Sequence, residues 1–157
     1  MSFQSMLRGL TEARVAFVVV GGVAATAHGS TYVTNDLEIC YETTPENIER
    51  LATLLAQWNA YPRGIEHGLP FFMDARTFST TPTLTLQTTE GAIDVLDRVD
   101  GVGPYRATLE HSDAFDIFGL EIRVLSLPAL IAAKRAAARP KDFAQLPELE
   151  AILALRK

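Results

Sequence analysis

The chain has 157 residues, of which 48% are hydrophobic and 21% charged, a balance that excludes a disordered or low-complexity protein. Its net charge of −5 argues against nucleic-acid binding through one broad basic face. A single cysteine, Cys40, rules out an internal disulfide and a multi-cysteine zinc site, and suits a cytoplasmic setting.

In chain order, Phe3, Met6, Leu7 and Leu10 mark an amphipathic helix over 3–14. Arg8 and Arg14 before the apolar run Val15 to Ala27 imitate a secretory leader. Glu12 and the Gly21-Gly22 interruption argue instead for a buried strand over 15–21, followed by an alanine-rich helix from Val23 to His28. No apolar stretch approaches the roughly 18 residues of a spanning helix, so no membrane partner is expected.

Asp36 to Tyr41 reads as a second strand. Pro45 opens a helix to about Trp58, with Ile48, Leu51, Leu54 and Leu55 at helical spacing. Strands are expected at Phe71-Phe72-Met73, Thr83 to Thr88 and Ala92 to Leu96, the last two joined by a Glu90-Gly91 turn. Ala114 to Leu125 reads as a hairpin across Phe118-Gly119. Ser126 caps a helix running to about Ala138, and Pro140 and Pro147 divide the remainder into two short helices. The expectation is a single α/β (α+β) domain over 1–157. A mixed sheet is flanked by helices and followed by a C-terminal helical segment.

The chemistry concentrates around Val20-Gly21-Gly22 and Asp36-Leu37-Glu38-Ile39. Strand residues at spacing two share a face, so Asp36 and Glu38 stand side by side with Cα atoms roughly 6–7 Å apart. Neighbouring carboxylates repel unless a cation lies between them, and the hard, oxygen-preferring Mg²⁺ answers that need. The glycine pair lets backbone amides approach a phosphate. A third acid, Asp94, sits between apolar Ile93 and Val95, as on a strand with one buried face. If the two strands are neighbours, three carboxylates converge. If they are not, each acid is an ordinary solvated or edge-strand charge.

Apolar-Gly-Gly, a gap of thirteen residues, Asp-apolar-acid-apolar and a later apolar-Asp-apolar strand resemble the signature of the nucleotidyltransferase fold superfamily. Further features are Gly21-Gly22-Val23-Ala24, His28-Gly29, Thr34-Asn35-Asp36, Leu130-Ile131-Ala132-Ala133-Lys134 and Arg139-Pro140-Lys141-Asp142. They resemble small bacterial nucleotidyltransferase-like proteins related to abortive-infection toxins, over about residues 15–150.

The resemblance implies Mg²⁺ (or Mn²⁺) on Asp36, Glu38 and Asp94. It implies a nucleoside triphosphate such as ATP over Gly21 and Gly22 with contacts from Lys134 and Arg139. The acceptor hydroxyl, on RNA, protein or a small molecule, stays unidentified. Two departures stand out: Glu38 where the family more often has Asp, and Tyr32 where many relatives carry Arg. They open the alternative of a nucleotide-binding module without turnover. A toxin acting on tRNA, held by an antitoxin, is a third reading.

Lys134 follows Leu127, Leu130 and Ile131 on the apolar stripe of its own helix, so it either snorkels to solvent or enters a cleft. Arg135, Arg139 and Lys141 form a basic run that serves either a helix C-terminus or a phosphate rim. Asp142 suits the first turn after Pro140. His28 is expected to cap carbonyls at a helix end near the site. His67 and His111 fall in loops without ligand-like spacing, which disfavours zinc. Cys40 continues the Asp36/Glu38 face as a small buried side chain. Trp58, Tyr61 and Phe71-Phe72 read as core or cleft wall, with a nucleobase platform as the functional alternative.

Overall fold

A computed structural model describes residues 2–65 and 69–156. Helix α1 (Phe3–Glu12) leads to strand β1 (Phe17–Val20), helix α2 (Gly21–Ala27), strand β2 (Asp36–Tyr41) and helix α3 (Pro45–Gln57). Then come β3 (Tyr61–Pro62), the one-turn α4 (Thr77–Thr80), β4 (Leu84–Thr88) and β5 (Gly91–Leu96). A small ribbon of β6 (Arg98–Val99) and β7 (Gly103–Pro104) precedes α5 (Tyr105–Glu110), the hairpin β8 (Ser112–Ile117) and β9 (Leu120–Leu125), and helices α6 (Leu127–Ala137) and α7 (Pro140–Leu155).

Seven strands form one mixed sheet in the order β3-β4-β5-β2-β1-β9-β8. Strand β2 runs antiparallel to β1 and parallel to β5, so the two acid-bearing strands are direct neighbours. Along β2 the alternation is strict at its start: Leu37 and Ile39 are buried, while Asp36 and Glu38 are half-buried on the other face. Leu37 and Ile39 join Ile93, Val95, Leu7, Leu10, Leu51 and Leu55 in the apolar core. Burying these β-branched and leucine side chains supplies the driving force for docking helices on the sheet.

Two expectations are corrected. Phe71-Phe72-Met73 forms no strand, and Phe72 is 80% exposed; no strand pairing among the described residues includes that segment. Pro147 does not split the C-terminal segment, because α7 is continuous from Pro140 to Leu155. A proline there forfeits the bond to the carbonyl of Phe143, but Pro147 and Phe143 both lie on the exposed side. Next to that carbonyl, the Tyr32 hydroxyl donates to the carbonyl of Ala144 at 3.0 Å. Tyr32 thus ties the α2–β2 loop to α7. Helix α5 was not anticipated; its signal was Pro104 ahead of a six-residue run.

Candidate active site

Glu38 lies directly opposite Asp94 in the β2–β5 register, and Asp36 lies two residues earlier opposite Ala92. Laterally paired residues point to the same side of a sheet, so the three carboxylates share one face. Asp36 lies near enough to Asp94 to disfavour its ionisation. Burial, chiefly, and the proximity of Asp36 push the Asp94 carboxyl up to about 6, although Arg63 pulls the other way. Glu38 is raised above the ordinary carboxylate value by burial and then by Asp36, against the opposing fields of Arg139, Lys134 and Lys141.

Gly21 adopts φ +65, and a side chain there would run into the carboxylate of Glu38. At Gly22 an added Cβ would meet the Thr34 side chain at 2.7 Å. Both glycines are therefore required first by packing. The β1–α2 turn sits flush against the acid-bearing strand and the residues leading into it.

Beside this turn is a cleft of about 470 Å³. Its walls carry Gly21 and Glu38 on one side and Lys134, Arg139 and Asp142 on the other. Asp97, Arg98 and Asp100 stand around it, and Val20, Leu96, Leu125 and Leu130 add apolar surface. Of the three acids, only Glu38 lines this cleft. Asp94 is turned toward Arg63, whose guanidinium forms an ion pair with its Oδ1.

Lys134 is buried, and its Nζ lies 3.4 Å from Oδ1 of Asp142. Asp142 is fully buried and also accepts from Arg139: backbone N at 3.1 Å, Nε at 2.7 Å and Nη2 at 3.2 Å. These donors outweigh burial and hold the Asp142 carboxyl below its ordinary value. The basic run therefore divides. Lys134 and Arg139 face the cleft, oriented by Asp142, whereas Arg135 points away to Glu150 at 2.7 Å.

Sequence reasoning missed the centrality of Asp142, which does carry a local signal as the third residue after its capping Arg139. It missed Arg63 altogether, for which no local signal exists. His28 is buried, and its Nε2 donates to the carbonyl of Leu125 on β9 at 2.8 Å while Nδ1 accepts from Arg156 at 3.1 Å. It therefore joins elements across the fold and is neutral, with burial lowering its pKa. His111 ends α5, with Nδ1 donating to the carbonyl of Ala107; His67 lies outside the described residues. Cys40 is fully buried, and burial lifts its thiol to about 11. Trp58 is core, packed on Gly9, and Tyr61 and Phe71 meet edge to face at 5.8 Å.

A divalent cation would call on Asp36, Glu38 and Asp94, an all-oxygen, anionic donor set of the kind Mg²⁺ and Mn²⁺ prefer. Two neighbouring carboxylates beside a third is a charge arrangement that such an ion relieves, so the donor chemistry fits. As they stand, no three His, Cys, Asp or Glu side chains among the described residues are arranged as a metal cage. Among the described residues, no helix is long and apolar enough to cross a membrane.

Solved structures share this fold. The lincosamide antibiotic adenylyltransferase LnuA, bound to lincomycin, superposes with a TM-score of 0.61 at 11% identity, covering 95% of this chain and 94% of that one. ANT(2")-Ia in complex with adenylyl-2"-tobramycin gives 0.57 at 14% identity, covering 98% and 91%. An antigenic nucleotidyltransferase-like protein from Paracoccidioides brasiliensis gives 0.56 at 14% identity, covering 96% and 73%. No curated protein matches the chain in sequence. The sequence does match a family over residues 1–157, and the protein therefore belongs to the family described as nucleotidyl transferase of unknown function (DUF2204).

Proposed function

We propose that residues 1–157 form a single nucleotidyltransferase-like domain that moves a nucleoside monophosphate from a nucleoside triphosphate to a hydroxyl of an acceptor. The observation that carries this reading is the β2–β5 register, which sets Glu38 opposite Asp94 with Asp36 on the same face. Mg²⁺ or Mn²⁺ on these three acids would neutralise and align the triphosphate. Lys134 and Arg139, presented by Asp142 across the cleft from Glu38, would hold the charge of the departing pyrophosphate. Asp94, with its raised pKa, suits the proton of the attacking hydroxyl. Most of the rate enhancement would come from positioning and charge neutralisation.

A small hydroxyl-bearing acceptor is favoured. Structural neighbours carry lincomycin or adenylyl-tobramycin, and ATP is the matching donor. A tRNA-directed toxin with an antitoxin draws less support, because Asp142 and Glu150 engage three of the four cations at 134–141. The nucleotide-binding module without turnover draws on one specific observation, the Arg63 ion pair on Asp94.

The test is incubation with each labelled nucleoside triphosphate, Mg²⁺ and extract or hydroxyl-bearing small molecules. Label should move to an acceptor with wild type and not with Asp36→Ala. Nucleotide binding without transfer to any fraction would favour the module.

A further inference from the structure

Of the three acids on the shared face, Asp94 is the one held in an ion pair among the described residues. Its partner Arg63 follows directly on β3, a two-residue strand at the sheet edge. The Arg63 backbone amide donates to the carbonyl of Thr85 at 2.9 Å, and Nη1 donates to the carbonyl of Leu86 at 3.1 Å. The remaining amine reaches Asp94. Both terminal nitrogens of the guanidinium are thus engaged, one on a β4 carbonyl and the other on Asp94, so an arm that releases Asp94 stays tethered to β4. The Arg63 side chain is 32% exposed, against 11% for Asp94, so the guanidinium has solvent to move into while the carboxylate does not.

Guanidinium is permanently charged and donates only, so it occupies the same oxygen lone pairs that a metal ion would use. It also supplies one positive charge where two carboxylates, Asp36 and Asp94, are neighbours. A divalent ion balances both. Arg63 and a divalent ion are therefore alternative, mutually repelling partners of one carboxylate.

We infer that Arg63 is a positioning residue that stands in for the metal at Asp94. It holds the buried carboxylate in place on the sheet face it shares with Asp36 and Glu38, and its displacement sets the affinity for the divalent ion. The inference rests on the reading of Asp36, Glu38 and Asp94 as the metal-binding acids. Metal alone then binds weakly, because each binding event must break the Arg63–Asp94 pair.

The test is titration of the full chain with Mn²⁺, without nucleotide, following free Mn²⁺ by electron paramagnetic resonance. Arg63→Gln should tighten Mn²⁺ binding by about tenfold, within the range usual for two ligands coupled through one site. Arg63→Lys, which keeps the charge, should restore affinity close to wild type, and Asp36→Asn should abolish binding in every background. If Asp36→Asn abolishes binding but Arg63→Gln binds as wild type does, the metal site stands and the role of Arg63 is overturned. If no protein binds Mn²⁺, the metal reading falls and this inference with it. Because Arg63 also holds the carbonyl of Leu86, a second measurement uses the unmodified chain. The Arg63 Nε–Hε resonance should shift as Mg²⁺ is added, in step with the amides of β2. A resonance that stays fixed while those amides move overturns the inference.

Discussion

The carboxylate of Glu38 fills the space that a Cβ on Gly21 would take, so the strand that carries the acids meets the start of α2 at that glycine. Gly21→Ala places a Cβ in the space of that carboxylate, at a backbone angle that L-residues rarely adopt. The variant should lose about 1–3 kcal/mol of stability, read by urea denaturation. Its nucleotide binding should fall as well, because Glu38 must move. A variant as stable as wild type would mean that the turn relaxes freely.

Asp142 is the hinge of the basic wall. Asp142→Ala leaves Lys134 and Arg139 without their shared buried carboxylate and should cost about 3–5 kcal/mol. Lys134→Ala should cost less, since Asp142 keeps Arg139 and its backbone amide. The same change should weaken nucleotide binding, measured with a fluorescent triphosphate analogue. Equal stability losses in the two variants, with binding untouched, would make Lys134 a purely structural residue.

The pH dependence of stability separates the acids. The folded pKa of Asp94 is raised, so its stabilising contribution is present at acid pH and is lost as pH rises through about 6. His28 works oppositely: its lowered pKa means stability is lost as pH falls below its ordinary 6.5. Asp142, depressed, contributes stability that disappears only as pH falls below its ordinary 3.8. The clean readout is therefore the difference between wild type and Asp94→Asn. The stability advantage of wild type should shrink as pH rises through about 6. A difference that is flat from pH 5 to 7 contradicts the raised value.

Asp36→Ala removes one of two neighbouring carboxylates, so the melting temperature without metal should stay level or rise. Wild type should gain thermal stability with Mg²⁺ and nucleotide, and this variant should not. Glu38→Asp shortens the acid that packs on Gly21 and lines the cleft. Label transfer should fall in a site adapted to Glu and rise in a degenerate one, which separates enzyme from binding module.

Much of the local structure was legible from neighbours along the chain. The alternation in Asp36 to Tyr41, the Glu90-Gly91 and Phe118-Gly119 turns and the Ser126 cap each specify an element through contacts a few residues apart. The order and spacing of the motifs resemble the nucleotidyltransferase signature, and the family and fold agree with that reading.

Tertiary structure decided the rest. Which strands are neighbours depends on closing long loops, so the sheet order and the Glu38–Asp94 register could not be read from period alone. Pro147 looked like a break because propensity is local, yet packing of buried Leu146 and Leu149 carries α7 through it. Helical phase and the fold of α6 against α7 sent Arg135 toward Glu150 while Lys134 met Asp142 beside the cleft, although the two cations are adjacent in sequence. Arg63 reaches Asp94 across 31 residues of chain. A side chain's partner at that distance is set by how the sheet closes, and nothing in the residues around Arg63 encodes it.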